Sequence, residues 1–447
     1  MTELPLLPAL RPGSIFARRG DASITFETFL ADVAALAAQL PPCDYVVNLC
    51  RDRYHFAVGF AAALCRRQVN LLPPHDAPDM LDQLAIDYPG FYCLTDTEAP
   101  SGRASLQYPA VLVHPGGQPQ MPRFSTDQPA SVLFTSGSTG RPQPHGRSWG
   151  DLVNSALAAG RRLRIASLGE ASLLGTVPHQ HSYGLESVLM LALQHGLVLH
   201  AGRPFFPADV VAALAAAARP RLLVTTPVHL RILLAQPGDL PPLDLLLSAT
   251  APLSASLARE AEVRFAAPLH EIYGCSEAGQ IATRRTAETE EWRCLDGITL
   301  RQDAAGTWAS GVPIAMETLL SDAIELHDQE HFRLLGRIAD LVNIAGKRAS
   351  LAHLNHHLNA IEGVLDGTFV ATDDEGDAVS RLVAFAVAPA LTAEFILAEL
   401  RQRIDVAFMP RPLHLVAVLP RNALGKLPRE EISRLLAEAA SGRAGGH

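Results

Sequence analysis

Hydrophobic positions follow two alternating spacings from about Thr25 to about Ile272. Phe26, Phe29 and Val33 recur at the spacing of a helix with one apolar face, and the run at 45–49 that follows is typical of a buried strand. Alternating strands and helices predict mainly parallel sheets that are covered by helices on both faces. The sequence therefore predicts an α/β architecture for the larger part of the chain.

The same pattern predicts a series of further elements in this region. The predicted strands lie at 69–72, 131–135, 172–177, 222–225, 243–247 and 269–272, and the predicted helices lie at 53–67, 184–195, 208–218 and 254–265. Helices placed between successive strands supply the crossover connections that parallel pairing requires.

The pattern changes after about Asp296. Residues 297–335 are polar and rich in turns, which predicts short antiparallel strands in a small barrel-like subdomain. A mixed α+β unit follows, with predicted strands at 340–344, 368–371, 382–387 and 413–418 and predicted helices at 351–361, 393–406 and 429–440. We therefore predict a large N-terminal domain at 1–336 and a small, mobile C-terminal domain at 337–447.

Composition narrows the class of protein. The 447 residues are 48% hydrophobic and 19% charged, with a formal net charge of -9, which fits a soluble globular protein without nucleic-acid partners. The most apolar stretches are shorter than the roughly 20 residues that span a bilayer, and the N-terminus lacks the basic start of a signal peptide. The six cysteines form no CxxC pair, so we expect neither a zinc knuckle nor a disulfide framework, and a cytoplasmic location.

A first candidate for chemistry is the segment TSGSTG at Thr135–Gly140, which follows a predicted strand. Gly137 and Gly140 permit backbone conformations that let main-chain N–H groups surround phosphate oxygens, and the hydroxyl side chains add donors. The segment lacks the G-K-[ST] ending of a Walker loop. The alternative is a polar strand-to-helix turn, which the segment alone favours.

A second candidate is YGCSEAG at Tyr273–Gly279. It comes close to the G-x-S-x-G elbow of serine hydrolases, with Ser276 as the nucleophile, but the residues that follow lack a helical face. Glu277 offers a carboxylate of the kind that binds Mg²⁺ beside a polyphosphate. The alternative for Glu277 is a solvated loop carboxylate.

Two further segments carry histidine or lysine. His179 and His181 lie two residues apart in PHQHSYGL, and without an evident third ligand they predict packing or hydrogen bonding rather than a zinc site. Of the 37 basic residues, 35 are arginine, and the two lysines are Lys347 and Lys426. Lys426 lies in the turn-like LGKLPR, where a mobile cation suits a transition state that gathers negative charge; the alternative is a surface lysine.

Taken in order, these segments resemble the adenylate-forming superfamily of acyl- and aryl-CoA ligases, peptide-synthetase adenylation domains and luciferases. The resemblance runs from about Thr25 to Ala440 and rests on several motifs in the family's order. It implies a phosphate loop and a lid lysine, Lys426. The phosphate loop is formed by Thr135, Ser136, Gly137, Ser138, Thr139 and Gly140.

The resemblance also implies the nucleotide and acid sites. SATAPLS at 248–254 is similar to the stretch along the adenine, and YGCSEAG is similar to the Tyr-Gly-x-Thr-Glu motif. For the nucleotide it implies Tyr273 stacked on adenine, Asp322 on the ribose, and contacts from Thr250, Ala251, Pro252, Gly274, Ser276 and Arg337. For the acid it implies His181, Ser182, Ser248, Ala249 and Gly279.

The implied reaction joins a carboxylic acid to ATP with release of pyrophosphate, and then passes the acyl group to a pantetheine thiol of CoA or of an acyl carrier protein. The implied catalytic residues are Lys426, Glu277 and His181, with Glu277 as the Mg²⁺ ligand. Rotation of the C-terminal domain would separate the two half-reactions. An aryl or acyl acid is expected, with preference for an aromatic acid and for a carrier protein as acceptor.

The sequence also departs from the family pattern. Gln143 stands where the phosphate loop usually continues with lysine, Ala339 stands at the hinge aspartate, and Ala249 and Thr250 replace glycines beside the adenine. The chain is short, which resembles small stand-alone ligases of bacterial aryl-polyene pathways. Two alternatives therefore stay open: a nucleotide-binding homologue without ligase activity, and a serine hydrolase that uses Ser276.

Overall fold

A computed structural model describes residues 2–9, 11–114, 119–136, 142–314, 316–337, 341–344, 347–372, 381–421 and 427–440. The strands are β1 (Glu3–Pro5), β2 (Ile15–Arg19), β3 (Ala22–Thr25), β4 (Tyr45–Asn48), β5 (Val69–Leu72), β6 (Tyr92–Thr95), β7 (Ser105–Gln107), β8 (Arg123–Ser125), β9 (Pro129–Ser136), β10 (Pro142–Ser148), β11 (Ser172–Gly175), β12 (Val198–His200), β13 (Arg221–Thr225), β14 (Leu245–Ser248), β15 (Leu269–Cys275), β16 (Gly279–Arg284), β17 (Trp292–Cys294), β18 (Ile298–Asp303), β19 (Gly306–Gly311), β20 (Thr318–Leu319), β21 (Asp322–Leu326), β22 (His331–Arg337), β23 (Leu341–Ile344), β24 (Lys347–Ser350), β25 (Asp366–Thr372), β26 (Arg381–Val387) and β27 (Leu413–Leu415).

The helices include the predicted ones and three that the sequence pattern did not predict. They are α1 (Phe26–Ala37), α2 (Arg53–Cys65), α3 (Pro78–Asp87), α4 (Trp149–Arg162), α5 (Ser182–Gly184), α6 (Leu191–His195), α7 (Pro207–Ala216), α8 (Pro227–Leu234), α9 (Ala255–Phe265), α10 (Leu351–Asn359), α11 (Ala393–Arg401) and α12 (Arg429–Ala440). The three that were not predicted are α3, α4 and α8. A π-helical stretch, Leu185–Met190, joins α5 to α6. No helix in the described ranges is long and apolar enough to cross a bilayer.

Two large sheets form the body of the fold, one almost entirely parallel and one parallel in its centre. The first has the order β10-β9-β5-β4-β6-β7 and is parallel except for β10, and the second runs β21-β22-β17-β16-β15-β14-β13-β11-β12-β2-β3 with a parallel centre from β15 to β2. The largest group of buried apolar side chains contains Val46 and Leu72 from the first sheet and Leu173 and Leu222 from the second. The two sheets therefore share one core, and the predicted α/β class is confirmed.

Residues 297–335 form short antiparallel strands, as predicted. β18, β19 and β20 make a three-stranded antiparallel sheet, and β21 pairs antiparallel with β22. The alternative of a strand-to-helix turn at 135–140 is wrong, because the next described element is the strand β10, which pairs antiparallel with β9. Main-chain pairing along β9 holds β10 as a strand even though its sequence, PQPHGRS, contains two prolines and a glycine that disfavour strands.

The helix α4 begins directly where β10 ends. The Ser148 hydroxyl accepts a hydrogen bond from the Asp151 amide at 3.1 Å, and the Asp151 carboxylate accepts one from the Ser148 amide at 2.8 Å. This reciprocal cap satisfies two amide groups that a helix N-terminus otherwise leaves unpaired. It fixes the C-terminal end of β10, which includes Arg147, at the start of α4.

The buried Arg53 fastens the segment that leads to His181. Its guanidinium donates to the carbonyl oxygens of four residues that flank β11 and β12, at distances from 2.8 to 3.3 Å: His200, Gly202, Gly175 and Val177. Burial lowers the pKa of Arg53 to about 10, which leaves the guanidinium protonated at neutral pH.

The C-terminal residues form apolar clusters of their own. One contains Val342, Leu354 and Phe369, and another contains Val370, Phe385 and Leu435. The unit approaches the N-terminal part through Asp366, whose carboxylate lies 3.9 Å from Arg231 of α8 and accepts two hydrogen bonds from Arg421. The boundary between residues 336 and 337 stays a prediction.

Candidate active site

The segment Gly274–Gly279 forms a tight connection between β15 and β16. A Cβ atom on Gly274 would lie 2.3 Å from the carbonyl oxygen of Gly279, and Gly279 has a φ of +79°, so the turn requires glycine at both positions. Ser276 and Glu277 lie at the turn, followed at once by the antiparallel strand β16. A nucleophile elbow leads from a strand into a helix, so this geometry disfavours the hydrolase alternative.

The same turn determines the protonation state of the Cys275 thiol. Burial, together with the neighbouring Glu277 carboxylate, raises the pKa of the Cys275 thiol to about 12. The thiol is therefore protonated at neutral pH and is a poor nucleophile.

Two residues predicted for the nucleotide, 49 positions apart in sequence, are joined by a hydrogen bond. The Tyr273 hydroxyl donates to Asp322 Oδ2 at 2.8 Å. Trp292 and Phe332 pack against the Tyr273 ring at centroid distances of 5.7 and 5.6 Å. Asp322 lies opposite Arg337 in the pairing of β21 with β22.

Thr135 and Glu277 approach each other through His145, a residue that the sequence did not single out. His145 Nε2 lies 2.9 Å from Thr135 Oγ1 and 3.8 Å from Glu277 Oε1. The side chain of Glu277 is 40% exposed, whereas that of His145 is 17% exposed. The start of the predicted phosphate loop thus lies beside the predicted Mg²⁺ ligand.

The end of β14 carries further predicted residues. Ser248 is fully buried, Ala249 is 7% exposed, and Pro252 is exposed. Thr250 has a φ of +79°, a conformation that is unfavourable for a β-branched residue by about 1–3 kcal/mol. Thr250, which stands at a glycine position of the family motif, therefore keeps a backbone conformation typical of glycine. Ala251 follows it and is half-buried.

The histidine pair divides into two environments. His179 is buried, with Nε2 2.9 Å from the Cys50 carbonyl oxygen, and burial, aided by Arg53, lowers its pKa to about 3. It is a neutral packing residue. His181 is half-buried at the N-terminus of α5, beside Ser182. No group of three or more His, Cys, Asp or Glu side chains suited to a metal ion occurs among the described residues.

Several predicted residues lie outside the described residues: Gly137, Ser138, Thr139, Gly140, Ala339 and Lys426. For Ser136 and Arg337 the backbone alone is described, at the ends of β9 and β22. Their predicted roles stay predictions.

A second polar cluster lies beside Gly279, and its residue Arg147 was missed by the sequence reasoning. Arg147 of β10 is 2% exposed, Glu186 of the π-helical stretch is 1% exposed, and Gln280 of β16 is 5% exposed. The signal that could have found it is the alternation of Gln143, His145 and Arg147, which places three polar side chains on one face of β10.

Comparison with known proteins agrees with this arrangement. The model of the AMP-binding enzyme family matches residues 35–305, which is more than half of the chain. The chain belongs to the AMP-binding enzyme family. The matched region contains the described part of the predicted phosphate loop, Thr135 and the backbone of Ser136, and also contains His181, Tyr273 and Glu277.

The family relatives include ligases for aromatic acids. A 4-coumarate–CoA ligase of Halorhodospira halophila is 29% identical over 304 residues, which is 66% of this chain and 74% of the relative. A 3,4-dihydroxybenzoate–[aryl-carrier protein] ligase of Bacillus anthracis is 20% identical over 320 residues, 69% of this chain and 74% of the relative.

Solved structures share the fold of this AMP-binding enzyme. An o-succinylbenzoate coenzyme A synthetase from Bacillus subtilis, solved with ATP and a magnesium ion, superposes with a TM-score of 0.81 at 18% identity. The superposition covers 97% of this chain and 100% of the synthetase. The likeness extends over both the N-terminal and the C-terminal units, so the described residues of both share the fold of this synthetase.

Proposed function

We propose that this AMP-binding enzyme is an ATP-dependent acid–thiol ligase. It adenylates a carboxylic acid with release of pyrophosphate and then passes the acyl group to a pantetheine thiol. The observation that carries the proposal is the convergence of Tyr273 with Asp322 and of Thr135 with Glu277 at the turn that joins β15 to β16. These residues come from distant motifs that the family resemblance assigns to one nucleotide.

The nucleotide would lie across this turn. The side chain of Asp322, held by the Tyr273 hydroxyl, offers carboxylate oxygens to the ribose hydroxyls. Thr135 would begin the wrapping of the phosphates, with the remaining loop donors at 136–140. Lys426 would bind the α-phosphate, where negative charge builds up during the reaction.

The residues at the turn fit Mg²⁺. Glu277 presents a partly exposed carboxylate oxygen, and Mg²⁺ in phosphate sites is commonly held by one or two carboxylates together with substrate phosphates and water. Bound there, Mg²⁺ would supply Lewis-acid stabilisation of phosphate charge.

For the acid we propose an aromatic carboxylate, as in the two named relatives, held near His181, Ser248 and Ala249. For the thiol we prefer the phosphopantetheine of a carrier protein over CoA, and an aryl-polyene-type pathway, because the altered phosphate loop with Gln143 resembles the ligases of such pathways. The lid domain would begin at residue 337, and the enzyme would act in the cytoplasm.

The test is product analysis with the full chain. Incubation with ATP, Mg²⁺ and a panel of aryl and fatty acids should yield an acyl-adenylate detectable by mass spectrometry. Addition of either CoA or a phosphopantetheinylated carrier protein should then convert it to a thioester. A nucleotide-binding homologue without ligase activity, suggested by Gln143 in place of lysine, would bind ATP in calorimetry and give no adenylate.

A further inference from the structure

Arg147 is a buried cation whose donors are incompletely used. Its guanidinium is 2% exposed, and Nη2 makes one long hydrogen bond, 3.5 Å, to the Pro313 carbonyl oxygen. Nε and Nη1 are buried and have no hydrogen-bond partner within the described part of the chain. A buried donor left without an acceptor costs free energy that a ligand can recover by accepting from it.

The guanidinium lies against Gly279, which the family resemblance places in the acid pocket. A Cβ atom on Gly279 would lie 2.4 Å from Arg147 Nη1 and 2.9 Å from Glu186 Oε2. The cation and the carboxylate therefore converge on a position where only glycine leaves room. The cluster extends to Ser182, a second residue of the predicted acid pocket, through Glu186.

The Glu186 carboxylate is hydrogen-bonded to other donors. Its Oε2 accepts from Ser155 Oγ at 2.7 Å and from the backbone N–H of Gln280 at 3.3 Å, and its Oε1 accepts from Ser182 Oγ at 2.9 Å. None of these donors belongs to Arg147, whose Nε and Nη1 have no hydrogen-bond partner among the described residues. Glu186 nevertheless balances the charge of the guanidinium nearby.

The charge balance decides what Arg147 can bind. One arginine and one glutamate make the cluster neutral, so a second carboxylate on the acid would add an uncompensated negative charge beside Glu186 in a buried site. A hydroxyl or carbonyl oxygen accepts from the guanidinium without that cost. The hydroxyl and the carbonyl group would both offer Arg147 an uncharged oxygen that accepts a hydrogen bond.

We propose that Arg147 is a specificity-determining residue that binds a neutral oxygen substituent of the acid, remote from the reacting carboxylate, and that Glu186 selects against dicarboxylic acids. The assignment deepens the proposed ligase function and rests on it. Arg147 and Glu186 make the inner, polar end of the acid pocket.

The experiment compares matched acids in ATP–pyrophosphate exchange by the full chain. Each set contains an unsubstituted, a hydroxylated, a keto and a carboxylated acid of the same skeleton, such as cinnamate with its para-hydroxy, para-acetyl and para-carboxy derivatives. In at least one set the wild type should prefer the hydroxylated or keto acid to the unsubstituted acid by roughly ten- to a hundredfold in kcat/KM, and should disfavour the carboxylated acid. Comparison of the hydroxylated with the keto acid identifies the oxygen source.

Two variants separate recognition from support of the fold. Arg147→Met should bring the ratio of substituted to unsubstituted acid close to one, whereas a merely structural role would lower kcat/KM equally for all acids. Glu186→Gln should raise the ratio of carboxylated to hydroxylated acid by about tenfold, because it removes the repelling charge. The matched control is Arg161→Met on the exposed side of α4, where Arg161 pairs with Asp296, and it should leave every ratio unchanged.

Failure of the proposed role of Arg147 can be distinguished from failure of the proposed ligase function. Equal kcat/KM across every set in the wild type, or a selectivity ratio that Arg147→Met leaves in place, would overturn the role of Arg147 while the ligase function stands. No exchange with any acid would overturn the ligase function itself, and this proposal with it. If Arg147→Met does not fold, the kcat/KM ratios of the wild type and of Glu186→Gln test the proposed role of the cluster instead.

Discussion

Two polar clusters lie beside the Gly274–Gly279 turn, and they differ in exposure and in how they can be recognised. The first contains Tyr273, Asp322 and Glu277, is partly open to solvent, and lies in motifs that resemble a large family. The second contains Arg147 and Glu186, is buried, and lies in none of those motifs. The first indicates a class of reaction, and the second indicates the acid on which this chain would act. Family motifs alone therefore cannot assign the substrate.

The largest effect is expected at Lys426, which the family resemblance assigns to the α-phosphate. Lys426→Ala should lower the rate of ATP–pyrophosphate exchange by about a hundred- to a thousandfold, because it removes a cation from the developing phosphate charge. Lys426→Arg should also impair exchange, since a guanidinium fork does not replace a compact ammonium.

The matched control is the other lysine of the chain, Lys347. Lys347→Arg should change the exchange rate far less than Lys426→Arg. Exchange in Lys426→Ala at more than a tenth of the wild-type rate would show that this residue does not act at the α-phosphate.

Glu277 is expected to affect the metal requirement next most strongly. Glu277→Gln should raise the Mg²⁺ concentration that gives half-maximal exchange by at least roughly tenfold. Titration of exchange against Mg²⁺ measures this shift, and Glu260→Gln, on the exposed surface of α9, is the control. An unchanged Mg²⁺ requirement in Glu277→Gln would leave this carboxylate as a solvated loop residue.

The Tyr273–Asp322 hydrogen bond should act mainly on the binding of ATP. Asp322→Asn is expected to raise the KM for ATP about tenfold, and Tyr273→Phe severalfold, because each weakens or removes a hydrogen bond that the Asp322 carboxylate accepts. Because the two side chains touch, the double variant should cost less than the sum of the single free-energy changes. Additive costs would contradict a shared role at the ribose.

The smallest effect is expected at Ser276. Ser276→Ala should lower exchange by less than about tenfold, since serine would contribute at most one hydrogen bond at the nucleotide. A serine hydrolase would lose its activity entirely in this variant. Labelling of the wild type by a fluorophosphonate probe, lost in Ser276→Ala, would support the hydrolase alternative against the strand geometry of β16.

Local pattern was sufficient for much of the fold. The helices α1 and α9 were predicted because their apolar residues recur at helical spacing and bury one face, whereas α2 was predicted from a largely apolar run that is buried on nearly all sides. The strand β10 was missed because PQPHGRS has low strand propensity, and its pairing with β9 depends on contacts that local sequence does not encode.

The residues of the candidate site likewise fall into those that the sequence could reveal and those that only the fold could reveal. Tyr273, Glu277 and Asp322 could be proposed from motif order, whereas the burial of Arg147 could not, because arginine is ordinarily exposed. Its position against Gly279 follows from the strand register and from the Ser148 cap that fixes the end of β10. His145 beside Glu277 likewise becomes visible only when β9 and β10 are paired.

Acid-dependent exchange of labelled pyrophosphate into ATP is the most direct test of the proposed ligase function. We expect the full chain to incorporate label into ATP only when Mg²⁺ and a suitable carboxylic acid are both present. Absence of incorporation with every acid of a broad aryl and fatty panel, while calorimetry still detects ATP binding, would show that the chain binds the nucleotide without acting as a ligase.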